Sequence, residues 1–164
     1  MKKSLQESFK EFKSSVQTLS LSTLTEEAKP NISYAPFIED DNGNFYLFLS
    51  QLASHTQDLQ LHSIASILLM QDEQDTRQLF ARQRVSYQCH VEIVEKDNDE
   101  SGEYTQLLKQ FEKRFGSIME LLNSLPDFIL FRLTPQQGRY VIGFGKAYTL
   151  TGKHLTELEH IDKT

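Results

Sequence analysis

A Ser-His-Thr cluster, formed by Ser54, His55 and Thr56, follows an apolar run that ends at Ser50. The run 45–50 is typical of a buried strand, and the segment after it predicts a short helix near 56–61. Hydroxyl groups and free backbone N–H groups at the start of a helix are suited to binding an anion. The cluster therefore predicts either a ligand-binding turn or, more simply, a capped start of a helix.

The other histidines and the single cysteine are the remaining candidate metal ligands. His62 and His90 are interpreted as structural or solvent-exposed. His90 belongs to the polar face of an alternating segment. Cys89 lies on the apolar face of the same segment and is interpreted as a small buried hydrophobe. One cysteine excludes an internal disulfide, suits a reducing cytoplasm, and leaves no paired-cysteine motif for zinc or redox chemistry.

Composition and charge narrow the class of protein. The chain of 164 residues is long enough for one domain with a substantial core, and 38% hydrophobic with 24% charged residues is a globular composition. A net charge of -6 argues against general affinity for nucleic acid. No run of 18 apolar residues predicts a membrane span, and the first residues lack the apolar core of a secretory signal. We therefore expect a cytoplasmic location and no membrane insertion.

The elements that must position these residues are mostly strands. An apolar stripe at helical spacing predicts an amphipathic N-terminal helix over 1–17, and a second stripe predicts a helix over 104–115. Strict alternation over 84–93 predicts a strand with one buried face. Further strand-like segments, separated by turn residues, bring the total to six or seven strands in meander order.

This order predicts an α+β fold, a small antiparallel barrel with peripheral helices. We divide the chain into the N-terminal helix over 1–17, a barrel domain over 18–151 and a C-terminal tail over 152–164. Several strands are apolar on both faces. One face packs against the core, so the other must be covered by something else. On a chain of this length, the expected cover is a second copy, which predicts a homodimer.

Several blocks carry a resemblance to a known family over about residues 19–150. The blocks "LSTLTEEAKPNISYAPF", "FYLFLSQLASHTQDL" and "SIASILLM" resemble the pyridoxamine 5'-phosphate oxidase-like, FMN-binding split-barrel superfamily. The blocks "PNISYAPF", "QLFARQRVSY", "EKRFGSIMELLNSLPDFILFRLTP" and "GRYVIGFGKAY" resemble its haem-utilisation branch, the HugZ/HutZ-type proteins. The resemblance implies a split antiparallel barrel in a homodimer that binds haem and opens its ring oxidatively.

The Ser-His-Thr turn helps to distinguish FMN from haem as the ligand. In the flavin-binding relatives that this chain resembles, Arg and Lys after the third strand pair with the FMN phosphate. Here His55 and Thr56 stand in those places. Losing two cations removes charge-assisted hydrogen bonds of about 1.5–3 kcal/mol each. Haem is therefore the expected ligand, contacted by Ser54, His55 and Thr56, and FMN is the alternative.

The resemblance also implies an iron ligand on the C-terminal tail and an acidic residue near the haem. His160 is the expected iron ligand, with His154 as the alternative, although a solvated histidine on a frayed tail is the simpler reading. Asp127 is expected to lie near the haem across the dimer interface and to accept a hydrogen bond from the ligand imidazole. Its simpler reading is a turn-capping residue after Pro126.

Arg82 and Arg84 could pair with the haem propionates, because the planar guanidinium matches a carboxylate, or they are surface residues beside a strand.

The predicted function is a haem-degrading oxygenase for iron acquisition that uses dioxygen and an external electron donor. An FMN-binding split-barrel oxidoreductase and a non-catalytic haem carrier or storage protein are the alternatives. The sequence shows no acid–base pair or activated nucleophile, and haem chemistry requires neither.

Overall fold

A computed structural model describes residues 2–162, so Met1, Lys163 and Thr164 lie outside the described part. Helix α1 (Leu5–Ser15) begins at a capping box in which Ser4 and Glu7 satisfy each other's backbone N–H groups. Its apolar stripe buries Phe9 and Phe12. The amphipathic N-terminal helix predicted from the sequence is therefore present and faces the core.

The remaining elements follow in close succession. The strands are β1 (Thr18–Leu24), β2 (Pro30–Pro36), β3 (Ile38–Glu39), β4 (Phe45–Ser50), β5 (Ile64–Met70), β6 (Arg84–Ile93), β7 (Phe128–Gly143), β8 (Lys146–Thr151) and β9 (Glu157–His160). The other helices are α2 (Ser54–Leu61), α3 (Glu103–Phe115) and α4 (Ile118–Ser124), with a short 3-10 turn at Leu79–Ala81. Within residues 2–162, no helix has both the length and the apolar character needed to span a bilayer.

All strands belong to one antiparallel sheet, ordered β2-β1-β5-β6-β7-β4-β3, with β8 added to β7 and β9 added to β8. The sheet curls into a half-barrel beside its helices, which confirms the predicted α+β split barrel. The strand count exceeds the predicted six to seven because β2 stops at Pro36, leaving β3 separate, and because β9 is an additional strand. Proline removes a backbone donor, so a break in the sheet there is expected.

Strand β7 is longer than the sequence suggested. The segments 128–135 and 138–150 are predicted from the sequence as two strands, yet 128–143 is one continuous strand, and the chain turns only at Phe144 and Gly145. Its register against β6 shifts between Gln88 and Cys89. Cys89 pairs there with Pro135, which has no backbone N–H to donate, and the shift is a β-bulge. The bulge lets one strand pair with β4 through its first half and with β8 through its end.

Two apolar clusters hold the domain together. The larger fills the concave side of the sheet under α1, where Tyr140 packs against Phe9 and Phe12 at ring distances of 4.6 and 5.9 Å. The smaller lies on the other side of β4 and β7 and packs them against α3 and α4, with Phe111 and Leu130 fully buried. The sheet is therefore covered on both sides near β4, whereas β1, β2 and β5 present an uncovered outer face.

Gly138 lies at a tight point of the core, which gives a stability prediction. A Cβ at this position would lie 2.6 Å from Leu150 Cδ1 and 2.9 Å from Tyr87 Cδ1. We expect Gly138→Ala to lower the free energy of unfolding by about 1–3 kcal/mol through overpacking. Gly143→Ala is the matched control in the same strand, because its nearest neighbour would be 3.7 Å away. Equal unfolding midpoints in denaturant for the two variants would contradict the prediction.

The C-terminal segment predicted as a tail is partly regular structure. Residues 157–160 form β9, which pairs with β8, and Ile161 N–H donates to the Ala147 carbonyl oxygen at 2.8 Å. His160 therefore stands on an edge strand of the sheet, directly opposite Tyr148. Its orientation is consequently set by the sheet.

Candidate ligand-binding site

The Ser-His-Thr cluster forms the first turn of α2, immediately after the end of β4. Ser54 Oγ accepts a hydrogen bond from Asn31 Nδ2 at 3.2 Å, and His55 Nδ1 lies 2.7 Å from Ser33 Oγ. Thr56 is fully buried, and its hydroxyl has no hydrogen-bond partner within residues 2–162. Only Ser54 and His55 are therefore accessible for contact with a ligand at this turn.

A buried carboxylate fixes α2 against the sheet. Asp58 Oδ2 accepts hydrogen bonds from Thr23 Oγ1 at 2.7 Å and from Asn31 Nδ2 at 2.9 Å, and Asp58 is 6% exposed. Buried carboxylates are stable only when their oxygens are paired in this way. Thr23 and Asn31 lie on β1 and β2, so Asp58 connects the helix that carries His55 to two strands.

The surroundings of His55 favour its neutral form. Burial lowers its pKa because the charged form loses hydration, while the nearby Asp58 carboxylate partly opposes this shift. Ser33 Oγ also lies 3.5 Å from the Leu21 carbonyl oxygen, which can only accept. The arrangement that satisfies both contacts has Nδ1 donating to Ser33, which leaves the Nε2 lone pair of His55 available.

Asp127 lies just before β7, beside the last residue of β4. Its Oδ2 accepts a hydrogen bond from Ser50 Oγ at 2.6 Å, and its backbone carbonyl oxygen accepts from Gln51 N–H at 2.7 Å. Asp127 is half-buried. Its predicted contact with a ligand imidazole is not made within one chain, so that role stays a prediction.

His160 has both ring nitrogens facing acceptors. Nε2 lies 2.9 Å from the Gly145 carbonyl oxygen, and Nδ1 lies 3.0 Å from Asp162 Oδ1. The Gly145 carbonyl, followed by the Asp162 carboxylate, raises the pKa of His160 because both stabilise the doubly protonated ring. Binding a metal at one ring nitrogen therefore requires that nitrogen to carry no proton and to give up its hydrogen bond.

His154, the alternative ligand, is placed differently. It lies in the turn between β8 and β9, against the turn between β3 and β4. A Cβ on Gly43 would come within 2.9 Å of the His154 carbonyl oxygen, so the two turns are closely packed. His154 is exposed and packs beside the start of β4, whereas Asp127 lies beside its end.

The two arginines are engaged with their own loop. Arg82 Nε donates to the Gln71 carbonyl oxygen at 2.6 Å, and its guanidinium lies 3.5 Å from Glu73 Oε1. Arg84 donates to the Arg82 carbonyl oxygen at 2.8 Å. Arg84 therefore retains more of its donors for an external carboxylate than Arg82 does.

The candidate residues fall into two groups at opposite ends of the sheet. Asp127 lies where β4 ends and β7 begins, and Ser54 and His55 lie in the helix that follows β4. Arg84 and His160 lie at the other end, because Arg84 pairs with Val141 and the β8 residue opposite His160 pairs with Tyr140. One chain therefore keeps His160 apart from Asp127.

Sequence reasoning missed the residues that orient this site. Ser33 contacts His55, Ser50 contacts Asp127, and Asp58 fixes α2 through Thr23 and Asn31. These contacts join residues between 22 and 77 positions apart. The one feature of the local sequence that points to any of them is the position of Ser50 at the end of an apolar strand. Long-range pairing of this kind follows from sheet register, which the local pattern does not reveal.

Comparison with known proteins defines the class to which this fold and site belong. The family model of pyridoxamine 5'-phosphate oxidase matches residues 5–142, most of the chain. The chain therefore belongs to the pyridoxamine 5'-phosphate oxidase family, in agreement with its curled antiparallel sheet.

Within that family, the similarity is to the HutZ-type branch. The chain is 38% identical over 159 residues to heme oxygenase HutZ of Vibrio cholerae, covering 97% of this chain and 88% of that protein. The crystal structure of Vibrio cholerae HutZ, there called a heme storage protein, matches with a TM-score of 0.79 and 35% identity, covering 87% of this chain and 99% of that one. Campylobacter jejuni ChuZ matches with a TM-score of 0.83 and 25% identity, covering 96% of this chain and 62% of that one.

Proposed function

We propose that this protein binds haem between two copies of the chain and opens the porphyrin ring with dioxygen and electrons from an external donor, releasing iron. The observation that carries the proposal is the 38% identity, over nearly the whole chain, to a protein described as a heme oxygenase. His160 and Asp127 supply the residue types that the proposal needs, because an imidazole and a hydrogen-bonding carboxylate are the usual groups around a histidine-ligated haem iron.

The donor set at the α2 turn fits haem better than FMN. A phosphate group needs cations or several free donors, and this turn offers Ser54 and a neutral His55. Thr56, which stands where a flavin-binding relative would supply a cation, has a buried side chain. FMN therefore remains the alternative ligand, with weaker support from the residues present.

A second copy is proposed because the two residue groups lie at opposite ends of one sheet. A two-fold axis perpendicular to the strands sets two copies antiparallel, so it can place His160 of one chain near Asp127 of the other. The outer face of β1, β2 and β5 provides a surface for such contact, with Ile32 71% exposed and Tyr34 68% exposed. A cavity of about 610 Å³ lined by residues of β1, β5 and β6 opens on the same face.

The dimer proposal gives a prediction about association. We expect Ile32→Asp to convert the dimer to a monomer, because it places a charge in an apolar interface core. Ile118→Asp is the matched control, since Ile118 is 50% exposed on α4, away from this face. Sedimentation velocity over a concentration series measures the result. A monomeric wild type, or a control that dissociates equally, would contradict the proposed interface.

In the proposed mechanism, bound haem supplies the iron that binds dioxygen and the ring that is opened. With haem bound, one ring nitrogen of His160 would hold the iron in place of its contact with Gly145. Asp127 of the other copy would accept the remaining imidazole N–H in place of Asp162 and fix the orientation of the ring. Arg84 would pair with a propionate, and Ser54 and His55 would face the ligand with polar groups.

The proton on His160 gives a pH prediction. Proton and iron compete for the same nitrogen, and the pKa of His160 is raised above its ordinary value, so haem affinity should rise as the pH increases through that pKa. Asp162→Asn removes one cause of the raised pKa and should move the rise to lower pH. Haemin titrations between pH 6 and 9 measure this, with His160→Ala as the reference for haemin's own chemistry. Affinity that is independent of pH would contradict the prediction.

Titration of the purified protein with haemin and, separately, with FMN tests the proposed ligand. We expect a saturating Soret shift at a fixed stoichiometry with haemin and no comparable saturation with FMN. Stoichiometric FMN binding without a Soret shift would instead support the flavin alternative.

The proposed cytoplasmic location is tested by cell fractionation. The proposed external electron donor is tested by reconstitution with candidate reductases.

A further inference from the structure

The Ser50 hydroxyl connects the end of β4 to the carboxylate that the proposed function places beside the haem. Ser50 Oγ lies 2.6 Å from Asp127 Oδ2, although the two residues are 77 positions apart in the chain. Ser50 pairs with Phe128 in the register between β4 and β7, so the sheet itself brings the two side chains together.

The direction of this hydrogen bond follows from the neighbouring groups. Leu52 N–H donates to Ser50 Oγ at 3.2 Å, which occupies a lone pair of the hydroxyl. A hydroxyl has one proton, and an ionised carboxylate can only accept, so Ser50 donates that proton to Oδ2 of Asp127. Gln51 N–H donates to the Asp127 backbone carbonyl at 2.7 Å. Asp127 is consequently fixed through both its main chain and its side chain.

The second carboxylate oxygen of Asp127 is left available. Within residues 2–162, Oδ1 has no hydrogen-bond partner, and Asp127 is half-buried. A half-buried carboxylate with one oxygen held and the other open is suited to accepting a hydrogen bond from a group outside the chain's own contacts.

We infer that Ser50 is a positioning residue that holds Asp127 with Oδ1 directed toward the imidazole N–H of the iron ligand. The inference rests on the proposed haem function and deepens it. By fixing the orientation of the carboxylate, Ser50 strengthens the hydrogen bond to the imidazole and so increases the electron donation of the imidazole to iron. Without Ser50, Asp127 is free to rotate into solvent.

Other serines in the chain show that this arrangement is not a general capping contact. The hydroxyls of Ser14, Ser15 and Ser124 donate to carbonyl oxygens three residues earlier in or beside their own helices. Such contacts are local and involve no titratable group. Ser50 instead donates to a carboxylate on a different element, beside the site.

Two variants of nearly equal shape separate the hydroxyl from the packing. Ser50→Thr keeps the hydroxyl and Ser50→Val lacks it, while both add the same bulk. The iron–histidine stretching frequency of the ferrous haem complex, measured by resonance Raman spectroscopy, reports the strength of the imidazole hydrogen bond. We expect Ser50→Val and Asp127→Asn to lower this frequency and Ser50→Thr to retain it. Haem affinity should fall about three- to tenfold in Ser50→Val, less than the roughly 10–100-fold expected for Asp127→Asn.

The double variant Ser50→Val/Asp127→Asn completes the test, because it should match Asp127→Asn alone if Ser50 acts through Asp127. Ser124→Ala is the matched control and should leave the frequency unchanged. An unchanged frequency in Ser50→Val, with a lowered one in Asp127→Asn, would overturn the inference and leave the haem function standing. An unchanged frequency in Asp127→Asn would overturn it as well. A wild type that binds no haemin would refute both the inference and the proposed function.

Discussion

His160→Ala should abolish the ligation of haem iron by this protein. Substitution of residues that only support a metal ligand costs about 10–100-fold in affinity, so removal of the ligand itself should cost at least about 100-fold. We expect the Soret band of the variant to be displaced toward that of weakly bound haemin. The fold should be preserved, because His160 is exposed and its ring makes two hydrogen bonds, to Gly145 and Asp162, and one edge contact with Tyr148.

His154→Ala is the control for this experiment. It removes a histidine from the same C-terminal segment, and that side chain is exposed in the turn between β8 and β9. His55→Ala provides a further comparison, because Nε2 of His55 carries a free lone pair at the other end of the sheet. Retention of the Soret band in His160→Ala, together with its loss in either comparison variant, would assign the iron ligand to that other histidine.

Asp58→Ala should destabilise the domain and loosen the helix that carries His55. The substitution leaves the Thr23 hydroxyl and the Asn31 amide without their buried acceptor, in place of two hydrogen bonds at 2.7 and 2.9 Å. Hydrogen bonds to charged groups contribute about 1.5–3 kcal/mol each, and unpaired buried donors carry a penalty. We therefore expect the free energy of unfolding to fall by about 2–4 kcal/mol, measured by denaturant titration.

Asp41→Ala is the control for the loss of a carboxylate alone, because Asp41 is exposed in the turn between β3 and β4. It should change the stability by less than about 0.5 kcal/mol. Asp58→Asn, which keeps one acceptor oxygen, should give an intermediate loss. Equal stability of Asp58→Ala and Asp41→Ala would contradict the role assigned to Asp58 in fixing α2.

The parts of the fold that depend on local pattern were predictable. The alternation of 84–93 and the apolar stripe of 104–115 appear as β6 and α3 within one residue. The length of β7 was not predictable, because Pro135 and the polar residues after it are typical of a turn. In the structure they form a bulge whose pairing with β6 keeps the strand continuous.

The candidate site was predictable only in its residue types. The resemblance pointed to Asp127 and His160, but the position of His160 on a strand depends on the pairing of β9 with β8. The burial of Thr56 likewise depends on how α2 docks on the sheet, which Asp58 controls through contacts 27 and 35 positions away. Such contacts follow from tertiary packing, and the local periodicity of the sequence does not predict them.

In the proposed function, this protein degrades haem and does not merely carry it. The Vibrio cholerae relative is described both as a heme oxygenase and as a heme storage protein, so this function needs a direct test. The measurement that tests it most directly is reduction of the purified haem complex with ascorbate in air. Catalase is included to remove free peroxide, and a ferrous chelator is included to trap released iron.

We predict loss of the Soret band, release of about one iron per haem, and a linear tetrapyrrole detected by mass spectrometry. A Soret band that persists, with intact haem extracted at the end, would contradict the enzymatic account and identify a haem carrier.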